Sequence, residues 1–118
     1  MNPLLRGLVA LALALLPTTA AAQESRPTVA VLPFANMSGE KDDDYLCEGL
    51  AEEIINALTR IPGLRVVART SAFAVSRMGL DVREAGARLD VGTILEGSVR
   101  RAGRRVRVTA QLVTTSDG

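Results

Sequence analysis

Residues 31 to 40, VLPFANMSGE, pass from an apolar stretch into a polar loop that contains one glycine. A loop of this kind before a helix can hold a phosphate on its backbone N–H groups, but such loops carry several glycines and a cation. The three aspartates at 42–44 would instead repel a phosphate, and their contiguous spacing differs from the alternate positions of a calcium loop. We expect these acids, Asp42, Asp43 and Asp44, to cap the following helix and to place negative charge at its positive end.

Nucleophilic and metal-dependent catalysis have few candidates in this chain, which contains no histidine and a single cysteine. Ser–His pairs, Cys–His pairs and histidine metal sites are therefore excluded. Cys47 lies on the apolar side of a predicted helix, which favours a buried structural thiol over a nucleophile. Glu52 and Glu53 are adjacent, and because helix neighbours diverge by about 100° this pair is typical of a solvated face. We expect no catalytic residue, no metal site and no cofactor, and we interpret the protein as a non-enzyme.

Glu96 stands out because it lies inside an apolar run of strand type. A buried carboxylate needs a cationic partner, since an unpaired charge away from water is costly. Arg69 and Arg100 are the candidate partners. We favour a structural ion pair between Glu96 and Arg69 over an active site.

Five arginines lie within the eight positions from 100 to 107, namely Arg100, Arg101, Arg104, Arg105 and Arg107. Such a cluster could bind the phosphates of a nucleic acid, an acidic protein surface or anionic lipid headgroups, or it could be a solvated face. No aromatic residue accompanies the arginines for base stacking, which argues against nucleic acid as the partner. We interpret the cluster as a candidate protein-contact surface.

Residues 1–22 are typical of a signal peptide. Arg6 precedes a short apolar run, and a bilayer-spanning helix would need ~20 apolar residues. The alanine triplet at 20–22 fits the small-residue cleavage rule, so we expect cleavage before Gln23 and a short leader over 23–27. We expect a periplasmic or secreted protein without a transmembrane segment after cleavage. No cysteine lies near the cleavage site, so we expect no lipid anchor.

The remaining chain suffices for one small domain and begins with a strand–helix–strand pattern. Residues 28–34 form an apolar run of strand length. Apolar residues then recur at three- and four-residue steps until the stop signal at residues 60–63, which predicts an amphipathic helix. Residues 64–68 form a second apolar strand. A strand, a helix and a strand at this spacing imply a parallel crossover.

The second half predicts two short helices followed by a hairpin. The helices cover residues 70–78 and 81–89, and Asp81 is expected to cap the second. Two extended runs, over 92–100 and 104–114, flank a turn at which Gly103 is expected to take a positive φ. Residues of the second run alternate between apolar and polar, which predicts one buried and one solvated face. The fold class is therefore α/β, with a small mixed sheet of about four strands and helices packed on it.

Three segments carry a resemblance to a known family, and they read "VAVLPFANMSG", "GLAEEIINALTRIPGLRVVARTS" and "DVREAGARLDVGTILEGSVRRAGRRVRVTAQLV". Over residues 28–118 the chain resembles the TolB amino-terminal-like domain, which is itself similar to the FlgO-type domain of bacterial proteins. The resemblance implies a small α/β domain that many members fuse to a class III nucleotide cyclase, a DNA-binding domain or tetratricopeptide repeats. Similar domains usually continue past the final Asp117-Gly118 with a further strand. The resemblance thus implies either a C-terminally truncated domain or an unfinished sheet edge.

Two hypotheses of function follow. The first is a non-enzymatic binding or assembly module of the periplasm, which would contact an unidentified partner protein through an exposed sheet edge or the arginine hairpin. The alternative is a detached regulatory or sensory domain of a cyclase-linked or tetratricopeptide-repeat signalling protein. For the first hypothesis we expect Thr109 to contribute one of the edge N–H donors.

Overall fold

The computed structural model describes residues 26–116, so the expected signal peptide over 1–22 and most of the expected leader lie outside the described residues. The described chain is a mixed α/β domain with three α-helices and a five-stranded, mostly parallel sheet. In chain order its elements are β1 (Thr28–Val31), β2 (Ala35–Asn36), a 3-10 turn (Lys41–Asp43), α1 (Asp44–Leu58), β3 (Arg65–Val66), α2 (Arg69–Ser76), α3 (Val82–Leu89), β4 (Thr93–Ala102) and β5 (Arg105–Thr114).

The strand β4 is the centre of the sheet. It pairs in parallel with β1 and β2, and β1 in turn pairs in parallel with β3. The strand β5 pairs antiparallel with β4 over all ten of its residues, from Arg105 opposite Ala102 to Thr114 opposite Thr93. Because β5 takes one edge of β4 along its full length, β1 and β2 must share the other edge, and β5 is an outer strand.

The core forms where the helices meet the parallel strands. Val31, Ile94 and Val99 are fully buried, and α1 contributes a stripe of buried residues four positions apart, Cys47, Ala51 and Ile55. Three- and four-residue spacing places such residues on one side of a helix. Leu46, at the start of α1, is 36% exposed, so the helix buries a narrower face than its apolar pattern predicts.

The α/β class and the parallel β1–β3 crossover are confirmed, but the strand count and the course of the first strand are corrected. The first strand, β1, ends at Val31, before the end of the apolar run at residue 34, and a separate short strand, β2, begins only after Pro33, at Ala35. A proline has no N–H to give to a ladder, which explains the break. The expected four strands are therefore five.

The turn of the β4–β5 hairpin is as predicted, whereas the burial of β5 is not. Gly103 has a φ of 61° and is the first residue of a two-residue loop. The second loop residue, Arg104, does not have a positive φ. A positive φ at the first loop position alone is typical of a type II′ turn. The expected buried face of β5 is wrong, since Val106, Val108 and Leu112 are 48%, 50% and 66% exposed. No element within residues 26–116 covers this face.

Gly97 is a point where β4 tolerates no side chain. A Cβ built there would lie 2.0 Å from the Thr109 carbonyl oxygen and 2.8 Å from Cε2 of the buried Phe34 ring. We predict that Gly97→Ala lowers the free energy of unfolding by about 1–3 kcal/mol or more, because the close backbone oxygen must move. Chemical denaturation would measure the change.

Gly49→Ala is the matched control for that substitution. Gly49 lies within α1, and a Cβ added there meets no atom within 4 Å. Since alanine favours a helix over glycine, we expect this variant to gain about 0.5–1 kcal/mol. Equal stability of the two variants would show that the β4–β5 approach is looser than the structure indicates.

Candidate protein-binding surface

The loop between β2 and α1 is held by side chains rather than shaped to receive a ligand. The Asn36 side-chain amide donates to the Glu40 carbonyl at 2.7 Å and to Oδ1 of Asp44 at 2.8 Å. The Ser38 N–H donates back to Oδ1 of Asn36 at 2.9 Å. Ser38 Oγ in turn accepts the backbone N–H of Arg101, at the far end of β4, at 2.8 Å. These bonds make the loop a connection between the first helix and the hairpin.

Asp43 completes this connection through an ion pair between its buried carboxylate and a half-exposed arginine. The residue is 6% exposed, and its Oδ1 lies 3.1 Å from Nε of Arg101. Asp43 is the residue that precedes α1, yet its side chain makes no capping hydrogen bond. The expected capping by the three acids is therefore wrong at this position, because the carboxylate is engaged by the hairpin arginine. The capping role expected for Asp81 is confirmed, since its Oδ1 accepts the Glu84 N–H at 2.8 Å.

Glu96 and Arg69 do not form the expected ion pair. Arg69 pairs with Glu52, and its guanidinium lies over the Phe73 ring at 4.5 Å from the centroid. Glu96 Oε1 instead accepts from the side-chain amide of Gln111, its cross-strand neighbour, at 3.1 Å. The carboxylate avoids the buried-charge penalty because it is only partly buried, at the wall of an open groove of about 400 Å³.

Cys47 lies in the core and is 2% exposed. Burial raises the pKa of its thiol above the ordinary value of 9.0, and the negative charges of Asp44, Asp43 and Glu48 raise the pKa further. Both causes disfavour the thiolate, which is the reactive form of cysteine. Its position agrees with a structural thiol.

The five candidate contact arginines divide into one that is engaged and four that are exposed without an ionic partner. Arg101 is tied to Asp43. Within residues 26–116 no carboxylate oxygen lies within 4.0 Å of a nitrogen of the other four, Arg100, Arg104, Arg105 and Arg107. Three of these four, Arg100, Arg105 and Arg107, line one open groove of about 520 Å³. These three arginines therefore form a positively charged groove at the turn end of the hairpin.

The backbone of β5 presents a free edge whose donors can be assigned. The Thr115 N–H donates to the Gly92 carbonyl, and in an antiparallel ladder such pairs alternate with pairs that share no bonds. Odd-numbered residues of β5 therefore direct their N–H and C=O groups to β4. Even-numbered residues direct theirs to the outer edge, where the described chain has no further strand.

The opposite edge of β4 gives an independent check of this assignment. The carbonyls of Leu95 and Val99 accept the N–H groups of Leu32 and Met37, so odd-numbered residues of β4 face β1 and β2. The even-numbered ones must then face β5, and their partners in β5 are odd-numbered. Thr109 consequently bonds to β4, and the expectation that it supplies an edge donor is wrong. The outward groups belong to Val106, Val108, Ala110, Leu112 and Thr114.

Side chains of β5 separate by the same alternation, because successive residues of a strand point to opposite faces. Arg105 and Arg107 share one face, and Val106, Val108 and Leu112 share the other. The sequence revealed this alternation but not the exposure of the apolar side. We define the free edge of β5 together with its two exposed faces as the β5 surface.

No protein-family model matches the chain. In a comparison with curated proteins, 94 residues, or 80% of this chain, are 44% identical to a segment of a Rhizobium meliloti (strain 1021) protein named "Putative adenylate cyclase 3". The chain spans 16% of the length of that relative. A comparison with solved structures finds lipoprotein GNA1162 from Neisseria meningitidis, with a TM-score of 0.59 and 16% sequence identity over 77% of this chain and 71% of the lipoprotein.

The likeness to the lipoprotein shows a shared fold. The likeness to the Rhizobium meliloti protein relates this chain to part of a protein named as a cyclase. Within the part of the chain that the structure describes, no helix has the length and apolar character needed to cross a membrane.

The Asp43–Arg101 ion pair gives a prediction about stability. We expect Asp43→Ala to lower the free energy of unfolding by about 1–3 kcal/mol, because Arg101, itself 46% exposed, loses a charged hydrogen-bond acceptor that is almost fully buried. The neighbouring Asp42→Ala, at an exposed position, should change stability by less than about 0.5 kcal/mol. Urea denaturation would compare the two variants, and equal effects would contradict a structural role for the pair.

The raised pKa of Cys47 gives a prediction about pH. The folded state holds the thiol proton more tightly than the unfolded state, so this group contributes stability below its ordinary pKa. That contribution decreases as the pH rises above 9.0 and through the raised value. Denaturation of the wild type and of Cys47→Ala across this range would measure the effect. The variant should lose part of the alkaline decrease, and an identical pH profile would show that the thiol is not coupled to folding.

Proposed function

We propose that this chain is a non-enzymatic binding module that receives a strand of a partner protein on the free edge of β5. The main observation behind it is the outer edge of β5, where five outward-facing residues have no strand beside them within residues 26–116. An unpaired strand edge presents main-chain donors and acceptors that another extended chain can bind. In this proposal the module acts in the periplasm as a TolB amino-terminal-like domain, which accords with the apolar segment at 1–22.

Two further observations support docking at this edge. The strand is ten residues long, which is about 33 Å and enough for several main-chain hydrogen bonds. Its side chains are exposed on both faces from Arg105 to Leu112, so a partner strand could be accompanied by side-chain contacts above and below the sheet. Natural edge strands are usually short, bulged, covered or charged, and of these features β5 has only the charges of Arg105 and Arg107 within the described residues.

A second candidate function is a regulatory segment of a cyclase-linked signalling protein. The 44% identity to a segment of the Rhizobium meliloti protein named "Putative adenylate cyclase 3" favours it. The test is to replace that segment with this chain and to measure cyclic nucleotide formation. Unchanged output from the replacement and from a deletion of the segment would leave the regulatory function without support.

The proposed edge predicts alternating hydrogen exchange along β5. In dilute protein, the outward amides of Val106, Val108, Ala110 and Leu112 should exchange at least about tenfold faster than the inward amides of Arg107, Thr109 and Gln111, because only the inward ones are bonded to β4. Residue-resolved exchange by NMR would measure this. Slow exchange at both sets in dilute monomer would mean that the edge is already covered, which contradicts the proposal.

Two proline variants provide the matched control. Ala110→Pro removes an outward donor and should leave the melting temperature within a few degrees, since proline is tolerated at a solvent-facing edge position. Thr109→Pro removes an N–H that is bonded to β4 and should destabilise the protein by about 1–3 kcal/mol. The reverse order of the two effects would contradict the assigned edge.

A further inference from the structure

The pair formed by Arg100 and Arg107 is unfavourable within the protein itself. The two residues lie directly opposite each other across β4 and β5, on the same face of the sheet. Like charges directly opposite on neighbouring strands destabilise a sheet. Arg105 lies on this face as well, and no carboxylate of residues 26–116 approaches any of the three within 4.0 Å. A negative group placed at this groove would relieve the repulsion.

The other face of β5 calls for apolar contacts. Val106, Val108 and Leu112 are 48%, 50% and 66% exposed, and they stand along the same side of the strand as Ala110. Removing apolar surface from water is favourable. A strand added beside β5 would therefore gain from apolar side chains on this face and from acidic side chains on the arginine face.

The alternation of hydrogen-bonded residues along β5 would place acidic side chains of an added strand close to Arg105 and Arg107. Arg105 and Arg107 are bonded to β4, so beside an antiparallel outer strand they would occupy the pairs that share no main-chain bonds. In such pairs the Cα atoms lie about 4.5 Å apart, closer than the roughly 5.5 Å of the bonded pairs. An acid opposite either arginine is therefore well placed for an ion pair.

At the other end of the arginine face, Glu96 limits the positions at which a partner strand can carry acidic residues. Glu96 is hydrogen-bonded to Gln111, and a partner acid opposite Gln111 would bring a second negative charge towards it. Acids are thus favoured at the turn end of the hairpin alone. Because an antiparallel partner runs opposite to β5, its C-terminal half would contain them.

A second copy of this chain fits the surface poorly. The sequence of β5, RVRVTAQLVT, contains no aspartate or glutamate, so an antiparallel second β5 strand, whose C-terminal half would lie at the turn end, would supply no carboxylate to the arginine groove. Clustered like charges along an edge strand are a known means of preventing self-association.

We propose that the occupant of the β5 surface is an extended, antiparallel segment of another protein with alternating apolar and polar residues and with acids in its C-terminal half. This inference rests on the proposed docking function and specifies the chemistry of the partner. The acids pair with Arg105 and Arg107, and the apolar side chains cover Val106, Val108 and Leu112.

Designed peptides test this chemistry with the full chain. The matching peptide is Val-Thr-Val-Thr-Val-Glu-Val-Glu, and three others replace both glutamates with glutamine, replace both with lysine, or reverse the order of residues. Slowed exchange of the Val106, Val108 and Ala110 amides reports docking. We expect the glutamate peptide to bind roughly threefold to tenfold more tightly than the glutamine and reversed peptides, and this preference to shrink in high salt.

A charge-reversed protein separates pairing from general attraction. In the double variant Arg105→Glu and Arg107→Glu, the lysine peptide should bind more tightly than the glutamate peptide. Equal binding of the glutamate, glutamine and lysine peptides to the wild type would overturn the acidic partner while leaving docking intact. Absence of slowed exchange with every peptide would overturn the docking function as well. Protection that grows with protein concentration alone would identify a second copy as the occupant and overturn the inference.

Discussion

The pairing of β4 along both of its edges determines the rest of the structure. One set of alternate residues bonds to β1 and β2, which leaves the other set for β5. This choice directs the main-chain groups of every second residue of β5 outwards. It also fixes which side chains share a face. The residues with outward-facing backbone are apolar apart from Thr114, and Arg105 and Arg107 are among the residues that bond to β4. A shift of the β4–β5 register by one residue would change both which backbone groups of β5 face outwards and which side chains share a face with those of β4.

The sequence predicted the types and order of the main elements because these depend on local periodicity. The helical spacing around Cys47, the capping residue Asp81 and the glycine at the hairpin turn are all local signals, and each has the expected structural role. The loop before α1 was harder to predict, because Asp43 is engaged by Arg101, a residue 58 positions away in the sequence (101 minus 43). Local capping rules cannot anticipate a competing partner that only the assembled sheet supplies.

The errors about Glu96 and β5 have a common cause. A run of apolar residues around Glu96 predicts burial, and an apolar–polar alternation in β5 predicts one covered face, but neither pattern contains the covering element. In the structure the covering helices lie over β1 and the adjoining part of β4, and β5 extends beyond them. Periodicity therefore identified the side chains that share a face, while their exposure depended on the number and position of the helices.

The fold alone does not account for the arginine groove. The domain shares its fold with lipoprotein GNA1162 at 16% identity, which shows that very different sequences are compatible with this architecture. Packing of the core requires nothing of Arg100 and Arg107, which are exposed, and their direct opposition costs stability. Within residues 26–116, β5 carries outward-facing main-chain groups, exposed apolar side chains and positive charge without an ionic partner. This coincidence on one strand is the physical basis for proposing that a single added chain contacts all three.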